Sequence, residues 1–481
     1  MHKLESFKRL ILIALAGICL ILESLVFYYF WMYNFRPSIT TITQVDYFYR
    51  ASLLQSGFYF AILFFLSHMY GGMKIGYLKS AEVVFSQAFS TIITNILIYA
   101  QLSIMAKEFF KVNAYFGMTI LQILIVLIWN NIACWIYKTI FPPRKMIMIH
   151  GERSTEDIAN KFQSRKDKYN IVKYLYAGEN IESVKREVLE GFQAGEFQAV
   201  VIGDVSAKTR NDFLKLCYAH SIRIYIIPKI TDVILKGAEE LHLFDTPIFL
   251  TREYRLTMEQ RFVKRAIDFT CASILAIITS PIMLITAVII KANDGGPVLY
   301  KQVRCTTDRK EFSIMKFRSM CTDAEADGVA RLAKKNDSRI TPIGKFIRKV
   351  RIDELPQLFN IIKGDMSFIG PRPERPEIIE QYTELMPEFV FRTKVKAGLA
   401  GYAQVYGKYN TSPYNKLKLD LTYIENYSIW LDVKLMLLTL KILFWPDSTE
   451  GVESEQITAM KQEIELKKKE QQNKEQQNKE Q

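Results

Sequence analysis

Two adjacent carboxylates, Asp353 and Glu354, have the residue types and the setting that best suit catalysis in this sequence. Adjacency alone means little, because 50 acidic side chains in 481 residues produce such pairs by chance. The setting adds weight, since a stiff Gly-Pro-Arg-Pro loop at 370–373 follows the pair and presents Arg372. A run of basic residues precedes the pair: Arg339, Lys345, Arg348, Lys349 and Arg351.

Carboxylates among guanidinium groups can hold Mg²⁺ and phosphate together. Mg²⁺ takes one or two protein carboxylates and fills its remaining positions with phosphate oxygens and water. Arginine binds phosphate through paired hydrogen bonds. The pattern therefore favours phosphoryl chemistry with Mg²⁺ at Asp353 and Glu354. The structural alternative is that Asp353 caps a helix over 353–363 and that Glu354 complements the helix dipole.

Four apolar segments before residue 140 are each close to the ~20 residues that a bilayer-spanning helix needs. They cover 10–31, 51–70, 83–106 and 114–137. Glu23, Asn95 and Asn130 lie inside these segments, where hydrogen bonds between helices are expected. Lysines and arginines at 3, 8, 9, 74, 79, 138, 144 and 145 outnumber those at 36, 50, 107 and 111 on the opposite side. The excess predicts that the amino terminus and everything after residue 140 are cytosolic.

Residues 145–250 have the alternating pattern of a small Rossmann-like α/β domain. Apolar runs at 145–150, 171–176, 199–202 and 222–227 alternate with helical stretches such as 181–193 and 207–220, which predicts a parallel sheet. A dinucleotide-binding loop needs three spaced glycines after the first strand, and only Gly151 is present. A structural, regulatory or dimerising role is therefore predicted for this domain.

A fifth apolar stretch, 269–290, contains Ser280 and Pro281 at its midpoint. Proline removes a backbone hydrogen bond and kinks a helix. Basic residues flank the stretch on both sides, at 261, 264 and 265 and at 291, 301 and 304. A re-entrant helix that enters the membrane, breaks at Ser280-Pro281 and returns to the same face explains both flanks.

The remaining sequence predicts a compact catalytic domain and a solvated tail. Residues 291–450 are rich in turns, and the apolar run at 430–445 is either an interfacial helix or a core helix. Residues 457–481 form a low-complexity charged tail. Six scattered cysteines without CxxC spacing argue against zinc and against a disulfide framework. The formal charge of +13 beside so much apolar sequence favours membrane and phosphate partners over nucleic acid.

Eight motifs in order resemble those of the bacterial sugar transferases, which move a sugar 1-phosphate from a nucleotide diphosphate sugar onto polyprenyl phosphate. The four spans and the α/β domain resemble the large members of that family, which start exopolysaccharide, capsule or O-antigen synthesis. The motifs are RFVKRAIDF (261–269), Ser280-Pro281, GPVLYKQVR (296–304), KFRSM (316–320), RITPIGKFIRK (339–349), DELPQLFNIIKGDMSFIGPRPE (353–374), GLAGYAQVYGK (398–408) and WLDVK (430–434).

The resemblance implies roles at matching positions. Asp353 would be the nucleophile, Glu354 its partner in metal binding or proton transfer, and Arg372 a phosphate ligand. Ser280 and Pro281 would make the re-entrant break. Substrate or phosphate binding is the expectation for six further motif residues: Lys264, Arg265, Lys316, Arg318, Arg348 and Asp432.

These roles predict a membrane-bound phosphoglycosyl transferase. Asp353 attacks the sugar-bearing phosphorus of an NDP-sugar, with a UDP-hexose as the main candidate, and polyprenyl phosphate then takes the sugar 1-phosphate. Carboxylate catalysis divides one displacement into two steps, although direct attack by the lipid phosphate is equally compatible with the sequence. The expected cofactor is Mg²⁺. The expected partners are polyprenyl (undecaprenyl) phosphate, the NDP-sugar and membrane lipids, with a homodimer left open. The expected location is the bacterial inner membrane, crossed several times, with the catalytic domain cytoplasmic.

Two rival functions remain. A membrane-anchored, NAD-dependent nucleotide-sugar dehydratase or epimerase would need the missing glycine-rich loop and a catalytic Tyr-xxx-Lys. Tyr414 with Lys418 and Tyr169 with Lys173 have that spacing, but 25 tyrosines make chance matches expected. A non-catalytic membrane scaffold would need neither the carboxylate pair nor the Gly-Pro-Arg-Pro loop.

Overall fold

The computed structural model describes residues 7–44, 49–109, 112–151, 156–178, 180–251, 256–321, 337, 339–407 and 411–444. The chain forms two compact units, Met1–Ile227 and Pro228–Gln481. The tail predicted at 457–481 lies outside the described residues.

Unit 1 begins with long helices at the positions of the four predicted spans. They are α1 (Lys8–Phe30), continued by a π-helical turn (Trp31–Phe35) and α2 (Arg36–Thr43), then α3 (Tyr49–Tyr70), α4 (Ser80–Ala106) and α5 (Asn113–Ile140). Helix α1 packs against α3 and α5, and α4 packs against the same two helices. Among the described residues, five helices are long and apolar enough to cross a membrane, these four and a fifth in unit 2. The chain is therefore a membrane protein.

The polar residues inside these helices hydrogen-bond across the bundle, as the sequence predicts. Glu23 on α1 accepts a hydrogen bond from Gln87 on α4 at 3.3 Å. Gln87 in turn accepts from Asn130 on α5 at 2.8 Å. Asn95 on α4 donates to Gln122 on α5 at 2.9 Å. Because lipid offers no partners for such groups, these bonds help to fix which helices face each other.

The rest of unit 1 is the predicted parallel sheet. Its elements are β1 (Arg144–His150), α6 (Glu156–Gln163), β2 (Tyr169–Tyr176), α7 (Ile181–Gln193), β3 (Ala199–Ile202), α8 (Ala207–Ala219) and β4 (Arg223–Ile226). The strand order is β2-β1-β3-β4, and all neighbours are parallel. A Cβ atom at Gly151 would lie 2.7 Å from the carbonyl oxygen of Asp204, so close backbone packing already accounts for this glycine.

Unit 2 starts earlier than the predicted limit at residue 250. Its first elements are α9 (Ile230–Lys236) and a hairpin of β5 (Glu239–Leu243) and β6 (Thr246–Leu250). Ile230 and Val233 on α9 are buried in the same core as Leu358 and Leu421. Residues 228–236 therefore contribute to the core of the unit that carries the carboxylate pair, not to the α/β domain.

The fifth apolar stretch lies within one long helix, α10 (Met258–Asp294), which is not interrupted at Pro281. The predicted break of the helix at Ser280-Pro281 is therefore wrong, and a hydrogen bond from Ser280 explains why the helix continues. Proline has no N–H to donate to the carbonyl four residues earlier, which is that of Ile277. The hydroxyl of Ser280 donates to this carbonyl oxygen at 2.7 Å instead. Ser280 thus satisfies the backbone group that Pro281 leaves open.

The remaining elements of unit 2 are helices and short strands, and both kinds contribute side chains to the core. They are β7 (Leu299–Cys305), β8 (Glu311–Phe317), α11 (Pro342–Lys349), α12 (Gln357–Lys363), β9 (Ser367–Ile369), α13 (Pro376–Leu385), β10 (Gly398–Ala400), α14 (Tyr402–Tyr406), α15 (Pro413–Glu425) and α16 (Ile429–Leu443). Strands β7 and β8 pair antiparallel, and β9 and β10 pair parallel. Helix α16 buries Leu435 in the core, as the core-helix alternative predicts, and exposes Trp430.

Candidate active site

The carboxylate pair lies in a tight turn between α11 and α12. The predicted helix over 353–363 is instead a 3₁₀ turn, Ile352–Glu354, followed by α12 from Gln357. Arg351 precedes the turn with a left-handed backbone (φ 59°). Only 8% of Asp353 is exposed, and its Oδ1 atom is buried with no hydrogen-bond partner among the described residues. A buried carboxylate oxygen without a partner is costly, so it is a group that a ligand or a reaction can use.

Glu354 is surrounded by cations. Its Oε1 atom lies 3.2 Å from Nζ of Lys316 on β8 and 3.2 Å from Nη2 of Arg372. Its Oε2 atom lies 3.8 Å from Nη1 of Arg351. The side chain of Arg372 is about one third exposed (36%), so this cation also reaches the surface. Glu354 therefore fixes three cationic groups around the turn that carries Asp353.

The two carboxyl groups titrate at different pH. Burial, followed by the negative charge of Glu354, raises the pKa of Asp353 to about 6. Burial alone would also raise the pKa of Glu354, but the charges of Lys316, Arg372 and Arg351 outweigh burial and hold that pKa well below its ordinary value. Glu354 is consequently ionised at any ordinary pH, whereas Asp353 changes charge in the mildly acidic range.

The Gly-Pro-Arg-Pro loop is held through its backbone. The N–H of Gly370 donates to the carbonyl of Ala400, and the N–H of Gly398 donates to that of Pro371, both at 2.9 Å. A Cβ at Gly398 would lie 2.1 Å from the nitrogen of Gly370, so this approach requires glycine. The loop leads directly from β9 and places Arg372 beside Glu354.

The donor set at this turn is compatible with a divalent cation bound together with substrate. No cluster of three or more His, Cys, Asp or Glu side chains occurs in the part of the chain that the structure describes. Mg²⁺ needs only one or two carboxylates when phosphate supplies further oxygens. The unpartnered Oδ1 of Asp353 and the loosely paired Oε2 of Glu354 fit that requirement.

Besides Arg372, two of the residues predicted to bind phosphate lie at this site. Lys316 contacts Glu354 directly. Arg348 on α11 lies near Asp353, lowers the pKa of that carboxyl, and has a buried Nη1 atom without a partner among the described groups. Both cations are placed to meet an anion at the turn.

Four of the predicted phosphate-binding residues make other contacts. Lys264 and Asp432, 168 positions apart, form a buried ion pair at 2.6 Å, and Lys264 also donates to the carbonyl of Ile369. Arg265 donates to the carbonyls of Ile361 and Ile362 at 2.6 Å, at the end of α12. Arg318 pairs with Asp294 at the end of α10. These contacts favour a structural role in place of the expected role in phosphate binding.

Some residues at the site received no role from the sequence. Arg351 was one of several nearby basic residues, and nothing in its spacing indicated a contact with Glu354. Asn360 on α12 accepts from the N–H of Met315 at 3.0 Å and donates to the carbonyl of Ser313 at 2.8 Å, which attaches α12 to β8. Glu374 and Arg392 form a buried ion pair next to the backbone of Arg372. Asn360 and Glu374 lie within the quoted motif at 353–374, which was the available signal.

Comparisons with known proteins converge on the same part of the chain. The family model described as bacterial sugar transferase matches residues 259–446. The chain is 38% identical over 234 residues to the UDP-N-acetylgalactosamine-undecaprenyl-phosphate N-acetylgalactosaminephosphotransferase of Aeromonas hydrophila, covering 48% of this chain and 54% of the relative. It is 40% identical over 211 residues to the UDP-glucose:undecaprenyl-phosphate glucose-1-phosphate transferase of Klebsiella pneumoniae, covering 43% of each.

The chain thus spans about half the length of these curated relatives. A shorter relative is covered almost completely. The uncharacterized sugar transferase EpsL of Bacillus subtilis (strain 168) is 39% identical over 179 residues, which are 37% of this chain and 86% of EpsL. The matched region contains the sequence motifs, the carboxylate pair and the Gly-Pro-Arg-Pro loop. The chain belongs to the bacterial sugar transferase family.

Proposed function

We propose that this protein transfers a sugar 1-phosphate from an NDP-sugar to polyprenyl phosphate and so starts the synthesis of a bacterial polysaccharide such as an exopolysaccharide or capsule. The unpartnered oxygen of Asp353, beside a Glu354 that is held by three cations, is the observation that carries the proposal. The names of the Aeromonas and Klebsiella relatives support undecaprenyl phosphate as acceptor and a UDP-sugar as donor.

Asp353 acts first as a nucleophile. A carboxylate oxygen attacks the sugar-bearing phosphorus, the bond from that phosphorus to the bridging oxygen breaks, and the nucleoside monophosphate leaves. An oxygen of polyprenyl phosphate then attacks the same phosphorus of the aspartyl phosphosugar. The acyl phosphate bond breaks, Asp353 is released as a carboxylate, and polyprenyl diphosphate sugar is the product.

The surrounding cations reduce the repulsion between an anionic nucleophile and an anionic substrate. Lys316, Arg348 and Arg372 bind phosphate oxygens and stabilise the charge that shifts to the leaving group. Glu354 holds Lys316 and Arg372 in position between turnovers. Because the three cations hold the pKa of Glu354 well below its ordinary value, we assign it this pairing role and not proton transfer.

Asp353 and Glu354 would also hold Mg²⁺ together with oxygens of the donor diphosphate. A bound Mg²⁺ neutralises part of the diphosphate charge and helps the monophosphate to leave. The protein residues keep the same roles in binding and orientation.

The proposed setting is the bacterial inner membrane, crossed by the four helices of unit 1, with unit 2 on the cytoplasmic side. Both ends of α10 lie on this cytoplasmic face, an arrangement that requires the continuous helix to bend at Ser280-Pro281. Donor then arrives from the cytosol and polyprenyl phosphate from the adjacent leaflet, where the basic flanks of α10 contact anionic headgroups.

The test is incubation of membranes containing the protein with undecaprenyl phosphate and a panel of labelled UDP-sugars. The expected result is one preferred donor, with a labelled lipid and an equal amount of UMP. Membranes containing Asp353→Asn at the same protein level are the control. Formation of the lipid product by the control, or no product with any donor, would contradict the proposal.

A further inference from the structure

Arg392 lies in a 3₁₀ segment, Pro387–Lys394, and contacts the loop that presents Arg372. Its side chain is almost fully buried, with 3% exposed. Nη2 of Arg392 donates to the backbone carbonyl of Arg372 at 2.9 Å. The guanidinium group thus contacts the backbone of the residue whose side chain faces Glu354.

Two carboxylates fix the orientation of this guanidinium. Nη1 of Arg392 lies 3.3 Å from Oε1 of Glu374, and Nη2 lies 2.9 Å from Oδ2 of Asp420 on α15. The guanidinium also lies over the ring of Phe389, 5.0 Å from its centroid. A planar group held on two sides and by one face has little rotational freedom.

Glu374 directly follows the loop and connects it to further cations. Lys416 on α15 lies 2.7 Å from its Oε1 atom, and Arg304 on β7 donates to the carbonyl of Pro373 at 3.2 Å. Although burial alone would raise the pKa of Glu374, the charges of Lys416, Arg392 and Arg304 lower it to about 2. The carboxylate is therefore ionised and keeps these contacts throughout the physiological pH range.

We propose that Arg392 is a positioning residue that acts through Arg372, a role that rests on the proposed transferase function. Among the described residues, Arg392 bonds to the carbonyl of Arg372 and pairs with Glu374 and Asp420, and it makes no such contact with Asp353 or Glu354. It fixes the backbone at Arg372, and the flanking prolines restrict the same backbone further. The direction in which the Arg372 side chain leaves the loop is therefore set by a buried guanidinium rather than by Glu354 alone.

The test compares Arg392→Lys, Arg372→Lys and the double variant. Lysine keeps the positive charge beside Glu374 and Asp420 but lacks the planar fork that also reaches the carbonyl of Arg372. We expect Arg392→Lys to lower kcat/KM for the UDP-sugar by about tenfold. The reduction should be divided between kcat and KM in the same way as for Arg372→Lys.

The double variant separates positioning from general damage. If Arg392 acts through Arg372, adding Arg392→Lys to Arg372→Lys should cost less than about twofold more. Losses that multiply, or wild-type kinetics in Arg392→Lys, would overturn the inference. Lys363→Arg, which changes a cation in an exposed pair with Asp365, is the matched control and should leave the kinetics unchanged.

Hydrogen exchange gives a readout that needs no transferase activity. The amide of Gly370 bonds to Ala400 and reports on the loop. Peptides covering 367–374 should exchange severalfold faster in Arg392→Lys and at the wild-type rate in Lys363→Arg. Unchanged exchange would refute the positioning role even if no donor were found. If Arg392→Lys accelerates exchange of this loop as expected but the wild-type chain transfers no sugar, the result would count against the proposed function alone.

If Arg392→Lys lowers the thermal midpoint too far for kinetics, Asp420→Asn replaces it. That variant keeps Arg392 and removes one of the two carboxylates that orient it. Adding Asp420→Asn to Arg372→Lys should then lower kcat/KM by less than about twofold more, and a larger additional loss would overturn the inference.

Discussion

Asp353 and Glu354 are adjacent in sequence, yet their pKa values are displaced in opposite directions. Burial raises that of Asp353 to about 6, and three cations hold that of Glu354 below its ordinary range. Such a division between two neighbouring carboxyl groups assigns them different work. Asp353 is the carboxyl group whose charge changes near pH 6, and Glu354 stays anionic and pairs with the cations.

Replacement of the two carboxylates should therefore have unequal effects. Asp353→Asn should abolish transfer, because an amide is not a nucleophile here, whereas Glu354→Gln should leave a small residual activity. Initial rates of lipid product formation measure both. The thermal midpoint of Asp353→Asn at pH 7.5 should not fall, since the ionised form is the one that burial disfavours. Normal turnover by Asp353→Asn would contradict the covalent role.

Activity should depend on pH through Asp353. Only the ionised carboxylate attacks phosphorus, so kcat/KM should rise as the pH increases through about 6 and then level off. Glu354 and Glu374 are already ionised in this range and add no further step. A pH profile between 4.5 and 8.5, recorded with enzyme shown to be stable at each pH, measures the midpoint. A profile that stays flat across this range would show that no group with a pKa near 6 controls the attack.

Removal of divalent metal should stop transfer without releasing the protein from the membrane. Metal binding serves the phosphate chemistry, whereas the apolar helices anchor the chain. Excess chelator should eliminate product formation, and added Mg²⁺ should restore it. Sedimentation with membranes before and after chelation is the control. Full activity in excess chelator would remove the metal from the mechanism.

Shortened chains should respond to the boundary between the two units. A chain that begins at Pro228 keeps Ile230 and Val233 and should retain transfer activity. A chain that begins at Leu256 lacks both, and the loss of two buried aliphatic side chains should cost about 3 to 6 kcal/mol of unfolding free energy. Thermal midpoints and activities of the two chains in membranes measure the difference. Equal stability would show that α9 is dispensable, and loss of activity in a folded chain from Pro228 would implicate unit 1 in the site.

The topology of α10 can be tested by labelling. Single cysteines at positions 260 and 300, in a chain without native cysteines, should be protected from a membrane-impermeant reagent in intact cells and labelled in inverted vesicles. Pro281→Leu restores a backbone donor inside α10 and removes the proline that allows the helix to bend, so it should favour a spanning helix and reduce activity. Labelling of position 300 from outside the cell in the otherwise unchanged chain would exclude the re-entrant arrangement.

Periodicity and motif spacing predicted the parts of this molecule that depend on neighbours in sequence. The strand at β3 lies at the predicted positions, because a short β-branched run between polar helical segments allows few alternatives. The carboxylate pair and Arg372 were found because one motif contains all three. Helix α12 begins later than predicted because Asp353 and Glu354 belong to a separate 3₁₀ turn.

Contacts between distant positions could not be predicted in this way. The family resemblance suggested substrate binding for Lys264 and Asp432, and nothing local indicated that the two form an ion pair. The contribution of Ile230 to the core of unit 2 was missed for a similar reason, because the preceding strand continues the α/β pattern without a break in composition. The sequence around Arg392 does not indicate that its side chain is buried, because its two carboxylate partners, Glu374 and Asp420, are distant in sequence.

The backbone bonds of the Gly-Pro-Arg-Pro loop have a consequence for conformational entropy. The carbonyls of Ile369, Pro371, Arg372, Pro373 and Glu374 all accept hydrogen bonds from the surrounding protein. A loop of this length that was ordered only when substrate arrived would subtract about 1 to 2 kcal/mol per residue from the affinity. Here the ordering is complete once the chain has folded. Substrate binding therefore does not include the entropy cost of ordering this loop, and the interaction between Arg372 and a phosphate can contribute fully to affinity and rate.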